Sequence, residues 1–129
     1  KLYSGFIMKN IDILSNVKYL KEQSNPSIPI FMFAYNIEIE NRSNETIQLL
    51  NRHWEITDGN GITNIVNGKG VVGLQPLISK NEKFTYSSFC PLSTEFGMMN
   101  GWYEMKNKSG MIFKIEIPTL NLFTPTSKN

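Results

Sequence analysis

The sequence contains very little of the chemistry that disulfide frameworks and metal centres require. Among 129 residues there is one cysteine, Cys90, and one histidine, His53. A single cysteine excludes a disulfide within the chain, which is typical of a protein from a reducing compartment. One histidine cannot build a multi-histidine site, and no spacing of acidic residues matches a known metal-binding pattern. We therefore expect no bound metal and no cofactor.

Long apolar runs and clustered positive charge are also missing. No apolar segment approaches the roughly 20 residues that span a bilayer, and residues 1–10 lack the apolar core of a signal peptide. The formal net charge is +2, and only Arg42 and Arg52 among the 13 basic residues are arginines. A surface that binds DNA or RNA is usually far more basic. We expect a cytoplasmic protein that binds neither nucleic acid nor a membrane.

The pattern that dominates the chain is alternation with a period of two. In residues 30–41 the apolar side chains fall on one face of a predicted strand, and polar side chains fall on the other. The apolar face comprises Phe31, Phe33, Tyr35, Ile37 and Ile39. A length of 129 residues fits one domain that buries a core of its own. We expect a single domain over residues 1–129, with a core from about 11 to 122 and loosely held ends at 1–10 and 123–129.

Turn signals separate further predicted strands along the chain. Residues 47–58 are rich in β-formers, with Leu50, Trp54 and Ile56 in one phase, and the turn Asp58-Gly59-Asn60-Gly61 follows directly. Residues 79–82 and 107–110 form two more polar turns. Seven or eight short strands spaced in this way predict an all-β sandwich or barrel.

Residues 68–73 carry the pattern G-x-G-x-x-G, in which glycines allow the backbone to approach a phosphate closely. A dinucleotide site also needs a helix after the motif, and Leu74-Gln75-Pro76 shows no helical pattern. Two interpretations remain, a bulged loop between strands and an anion site in which Lys69, together with Arg52, neutralises the charge. The candidate phosphate-binding residues are Gly68, Lys69, Gly70, Val71, Val72 and Gly73, with Arg52.

No set of residues suggests a catalytic centre. His53 alternates out of phase with Trp54, and we interpret it as a hydrogen-bonded structural residue. Nothing in the sequence brings Cys90 to His53 to form a thiolate pair, so Cys90 is interpreted as a small core residue. We expect no catalytic residues and no enzyme activity.

Several segments in order along the chain resemble the ApaG-domain family. They cover about residues 11–122, and together they are much more specific than the glycine pattern alone. The segments are residues 19–26, residues 33–41, the block Gln48-Leu49-Leu50-Asn51-Arg52-His53-Trp54-Glu55-Ile56-Thr57-Asp58, residues 68–76, Cys90-Pro91-Leu92-Ser93-Thr94 with Gly97, Met99, Gly101 and Tyr103, and residues 113–118.

This resemblance implies a fibronectin type III-like, immunoglobulin-like β-sandwich of two antiparallel sheets, with no established enzyme activity. Bacterial members are linked by name to cobalt and magnesium homeostasis and are often encoded beside a diadenosine tetraphosphate hydrolase. In eukaryotes the domain is joined to F-box proteins and to a polymerase-delta-interacting protein, where it resembles a protein-interaction module. The glycine loop has suggested pyrophosphate or nucleotide binding in the family.

The function we expect is therefore a non-enzymatic binding module whose partner is another protein. The alternative is binding of pyrophosphate or a nucleotide, such as a dinucleoside polyphosphate, through residues 68–73. A homodimer is a further candidate for the partner. A phosphate-ester hydrolase is the third hypothesis, and it finds little support in an inventory of one histidine and one cysteine.

Overall fold

The computed structural model describes residues 10–126, which are almost entirely β-structure. The prediction of loosely held ends falls largely on residues 1–9 and 127–129, outside the described part. Within that part, strand structure continues to Phe123, and Thr124 is buried. The elements are β1 (Ile11–Tyr19), a 3-10 turn (Lys21–Gln23), β2 (Phe31–Asn41), β3 (Ile47–Asp58), β4 (Thr63–Lys69), β5 (Leu77–Ile78), β6 (Lys83–Leu92), β7 (Phe96–Asn107) and β8 (Ile112–Phe123).

These strands form two antiparallel sheets. One sheet has the order β1-β2-β6, and the other has the order β4-β3-β7-β8, with the short β5 pairing to the start of β3, beyond the end of β4. The prediction of an all-β, fibronectin type III-like sandwich is confirmed. In residues 10–126 no helix has the length and apolar character needed to cross a membrane.

The core lies between the sheets and follows the alternation seen in the sequence. Every second residue of β2 from Phe31 to Ile39 is buried, as predicted. From the opposite sheet, Trp54 on β3 and Tyr103 on β7 are the two largest fully buried side chains. Burying a large apolar side chain contributes about 1.5–3 kcal/mol, so the facing aromatic and aliphatic rows stabilise the sandwich.

A β-bulge changes the buried phase of β3 part-way along the strand. Ile47 and Leu49 are buried before the irregularity between Leu49 and Asn51, and Trp54 is buried after it. The prediction that Leu50 shares the buried phase of Trp54 is wrong, because the extra residue of the bulge moves Leu50 out of that row.

The β3–β4 hairpin is fixed by the turn that the sequence predicts. The carboxylate of Asp58 accepts hydrogen bonds from the backbone N–H groups of Asn60, at 2.8 Å, and Ile62, at 3.1 Å. Gly61 has a φ of +82°, which glycine adopts at little cost. This turn sets the register in which Arg52 lies opposite Gly68 and Trp54 opposite Val66.

The two long sides of the sandwich differ. On one side the edge strands β1 and β8 lie against each other. On the other side β4 and β6 are the edge strands, and a cleft of about 390 Å³ opens between them. Both Arg52 and Trp54 line this cleft from β3.

Candidate functional site

The glycine segment is divided between a strand and a turn. Gly68 and Lys69 are the last residues of β4 and pair with β3, so the predicted loop over residues 68–73 begins two residues later than expected. In the turn itself, the N–H of Gly70 donates to the carbonyl of Leu50 at 2.7 Å, and the N–H of Val71 donates to the carbonyl of Leu74 at 2.8 Å. These two amides are therefore engaged within the protein and do not point freely to an anion.

The side chains of this turn point in different directions. Val71 is fully buried, whereas Val72 is exposed and has a φ of +43°. A Cβ added to Gly70 would lie only 2.0 Å from the carbonyl oxygen of Leu74, which explains a glycine there without any ligand. Residues 68–73 thus have different structural roles. Arg52, the remaining residue of the predicted phosphate site, does lie close to them.

Arg52 reaches across β4 at Gly68. A Cβ built on Gly68 would lie 2.4 Å from Cζ of Arg52, so the guanidinium occupies the space that any other residue would fill. Its Nη1 donates to the carbonyl oxygens of Gly70, at 2.9 Å, and Lys69, at 3.3 Å. No carboxylate lies within ion-pair distance of Arg52 in residues 10–126. Within the described residues, its side-chain hydrogen bonds therefore go to backbone carbonyls.

The cleft between β4 and β6 combines apolar walls with donor groups. Trp54 is 2% exposed, and its indole Nε1 is a buried donor with no hydrogen-bond partner among residues 10–126. A buried donor that is left unsatisfied costs about 1–3 kcal/mol. Six of the residues along the cleft are Arg52, Trp54, Val66, Ser88, Phe89 and Leu92.

Hydroxyl and thiol groups behind the cleft are held in their neutral forms. The hydroxyls of Tyr86 and Tyr103 are hydrogen bonded to each other between the sheets, and burial raises the pKa of both phenols. Burial also raises the pKa of the Cys90 thiol to about 11. A thiol with that pKa is almost entirely protonated at neutral pH, so Cys90 is a poor nucleophile.

The outer face of the β4-β3-β7-β8 sheet carries a second group of polar residues. The ring of His53 stacks on Trp102 with centroids 3.9 Å apart, and Nζ of Lys114 lies 4.5 Å from the Trp102 ring centroid. The ring nitrogens of His53 are hydrogen bonded, Nδ1 with Oδ1 of Asn67 and Nε2 with Oε2 of Glu55. His53 is thus held as the sequence predicts, on the sheet face opposite to the core.

The free edge of β4 is the most unusual surface near the cleft. Every residue of β4 except Gly68 is exposed, including the apolar Ile65 and Val66. From Thr63 to Asn67 the strand contains no charge and no proline. Natural proteins commonly protect an edge strand with charged side chains or a proline. Sequence reasoning missed this edge, although the uncharged run beside a strong turn was its visible signal.

Comparison with known proteins identifies the family of this chain. The family model described as the ApaG domain matches residues 21–107. This protein belongs to the ApaG-domain family. A relative from Brucella abortus (strain S19), named Protein ApaG, is 41% identical over 127 residues, covering 98% of this chain and 97% of the relative. Another Protein ApaG, from Mesorhizobium japonicum, is 43% identical over 122 residues, covering 95% and 94%.

A solved structure agrees with this assignment. A Bordetella pertussis protein described as ApaA is 39% identical and superposes with a TM-score of 0.86, covering 89% of this chain and 94% of that one. The names of these ApaG relatives specify no enzyme.

The described part of this ApaG domain offers few groups that could take part in catalysis. Cys90 on β6 lies in the core, whereas His53 is on the outer face of the other sheet, so they form no thiolate pair. Within residues 10–126 no group of three or more His, Cys, Asp and Glu side chains is placed to hold a metal ion. The arrangement instead offers a bare strand edge, a cleft and an arginine without an acidic partner.

Proposed function

We propose that this ApaG domain is a protein-binding module that pairs an extended segment of its partner with the free edge of β4. The observation that carries the proposal is the uncharged, exposed strand from Thr63 to Asn67. A strand edge presents unpaired backbone donors and acceptors, so an added strand gains main-chain hydrogen bonds together with side-chain contacts. Ile65 and Val66 supply apolar contact area on the two faces of β4.

The other edge strands carry charges or prolines, although residues 13–17 of β1 and 84–90 of β6 are free of both. β1 contains Asp12 and Lys18 and lies against β8. β6 contains Lys83 and Pro91, and β8 contains charged residues and Pro118. Charges and prolines discourage strand pairing. β4 differs from these edges in its exposure, because every residue of β4 except Gly68 is exposed, whereas β1, β6 and β8 each contain buried residues.

Other functions receive less support. An enzyme would need an activated group, and burial holds the Cys90 thiol in its protonated form. Pyrophosphate binding at residues 68–73 would need free loop amides, but those of Gly70 and Val71 are already hydrogen bonded. Protein binding at β4 uses groups that the described structure leaves exposed.

The proposal is tested by site-specific photo-crosslinking in an extract of the source cells. A photoreactive amino acid at Ile65 is compared with the same amino acid at Leu14, because the two side chains are 60% and 63% exposed on different edges. We expect a discrete crosslinked partner from position 65 and none from position 14. In a second design the photoreactive amino acid is placed at Val66. The Ile65→Lys substitution should then lower the crosslinking yield about tenfold or more, since the lysine ammonium must be desolvated against an added strand.

Leu14→Lys is the matched control, because it adds the same charge to an equally exposed apolar site on β1. It should leave the crosslink from β4 unchanged, and both lysine variants should keep the unfolding temperature of the wild type. Equal crosslinking by the Ile65→Lys and Leu14→Lys variants would contradict binding at the β4 edge.

A further inference from the structure

Arg52 is placed where an added strand would meet it. Its guanidinium lies over Gly68, in the space of the missing side chain, and therefore extends from β3 across β4 toward the free edge. Neighbouring strands are about 4.8 Å apart. A residue added beside Gly68 would consequently have only a glycine between its backbone and the guanidinium.

The charge of Arg52 is available to a ligand. Nη1 is bound by the carbonyls of Lys69 and Gly70, whereas Nε and Nη2 make no hydrogen bond within residues 10–126. No carboxylate of the described chain forms an ion pair with Arg52. Asp58 also lines the cleft, but it lies six residues further along β3 and accepts the turn hydrogen bonds. The electrostatic complement of this position is an acidic group.

A second donor borders the same cleft. An added Cβ at Gly101, on β7, would lie 3.1 Å from Cε3 of Trp54. Trp54 lies between Gly101 on β7 and Val66 on β4, and its Nε1–H is buried without a hydrogen-bond partner in residues 10–126. Arg52 and Trp54, each with an unused N–H donor, therefore line the same cleft.

The register of β4 sets the spacing of the partner's side chains. Val66 and Gly68 face the sandwich interior, since they pair with Trp54 and Arg52. Side chains of an added strand that face inward must repeat every second residue. One of them would lie beside Gly68 and Arg52, and another would lie beside Val66.

We propose that the partner segment is an acidic strand, with an Asp or Glu beside Gly68 and an apolar residue two positions away beside Val66. The proposal rests on strand addition at β4 and adds the chemistry of the segment. The carboxylate binds the free guanidinium N–H groups of Arg52, and the apolar side chain covers the mouth of the cleft. Gly68 is then a specificity position, because it keeps Arg52 within reach of the edge.

The test is a titration of the isotopically labelled full chain, monitored through its backbone amide and indole NMR signals. The probes are two capped five-residue peptides, threonine-glutamate-threonine-valine-threonine and the same peptide with glutamine in place of glutamate. Inorganic phosphate is the third probe. We expect the glutamate peptide to bind about tenfold more tightly or better, because one charge-assisted contact is gained. It should shift the β4 amides and the Trp54 indole signal, while the Trp102 indole on the outer face stays unchanged.

Two variants connect this preference to Arg52. Arg52→Gln should abolish the preference for glutamate, and Gly68→Ala should weaken it while keeping the charge, because the new methyl group displaces the guanidinium. Arg42→Gln is the matched control, since Arg42 pairs with Asp12 outside the cleft. It should retain the full preference.

The outcomes separate this inference from the proposed function. Equal binding of both peptides at β4 would overturn the acidic preference and leave strand addition intact. A glutamate preference that survives in Arg52→Gln would also overturn it, as would phosphate shifting the same signals as strongly as the glutamate peptide. If neither peptide moves the β4 amides at millimolar concentration, the acidic-strand inference fails, and the crosslinking at Ile65 decides separately whether β4 binds a partner.

Discussion

Tyr86 and Tyr103 show at the scale of single residues how this core depends on neutral side chains. One of their hydroxyl groups donates a hydrogen bond to the other between the two sheets. Burial raises the pKa of Tyr35, Tyr86 and Tyr103 above the ordinary value of 10, and that of Cys90 from 9 to about 11. In the unfolded chain these groups would lose their protons at lower pH than in the fold.

These raised pKa values predict loss of stability in alkali. Because the folded pKa exceeds the unfolded value, the contribution of each group is complete below the unfolded pKa and declines as pH rises above it. We expect the free energy of unfolding in urea to fall above pH 9, first through Cys90 and above pH 10 through the tyrosines. Each fully affected group contributes a slope of about 1.4 kcal/mol per pH unit.

Cys90→Ala should remove the part of this decline that begins near pH 9. Tyrosinate absorbance gives an independent measurement, because the three buried phenols should ionise together with unfolding. Ionisation of all five tyrosines of the chain near pH 10, with the far-ultraviolet circular dichroism unchanged, would refute the prediction.

At the scale of elements, β3 organises the site because it pairs with β4, β5 and β7. Its turn with β4 determines which β4 residues face the cleft. The Asp58 carboxylate holds that turn through the backbone N–H groups of Asn60 and Ile62. The Asp58 side chain therefore helps to position β4, together with the backbone hydrogen bonds from Gly61 to Asp58 and from Asp58 to Ile62.

Asp58→Ala should lower the free energy of unfolding by about 0.5–1.5 kcal/mol, since two exposed turn hydrogen bonds to a charged acceptor are lost. The amide signals of β4 should change more than those of β8, because β4 directly follows this turn and β8 does not. Asn60→Ala is the control, as it keeps the backbone N–H that Asp58 accepts. Equal urea stability of the two variants would show that the carboxylate does not hold the hairpin.

The sequence predicts regular strands well and their irregularities poorly. Alternation identifies β2 and its buried face because nothing interrupts the pleat. It fails at Leu50, where a bulge inserts one residue that no composition rule reveals. Arg52 is recognised as a cation near glycines, but its position over Gly68 depends on cross-strand register, which comes from the turn and the bulge together. The candidate site could therefore be located only once the folded structure was known.

At the scale of the whole molecule, the sandwich is closed on one long side and open on the other. β1 and β8 lie together, whereas β4 and β6 leave a cleft. β4 is exposed along nearly all of its length, while β3 and β7 are central strands of the same sheet. Local opening requires little free energy where few apolar contacts are broken.

Native-state hydrogen exchange should follow this asymmetry. We expect β4 amides to exchange first among the long strands, and those of β3 facing β7 to exchange only with global unfolding. In complex with the glutamate peptide, β4 protection should rise while β8 protection stays constant. Measurement by NMR at neutral pH checks both statements, and β8 exchanging before β4 would contradict them.

The two edges of the β4-β3-β7-β8 sheet differ, and this difference limits how many molecules can assemble through that sheet. A chain with two bare edges could pass strand pairing from one molecule to the next and grow into a fibre. Here the opposite edge of the same sheet is β8, which carries Lys114, Glu116 and Pro118 and lies against β1. If a partner strand pairs with β4 as proposed, these features of β8 oppose further pairing at the other edge of the same sheet, so the assembly should end after one partner.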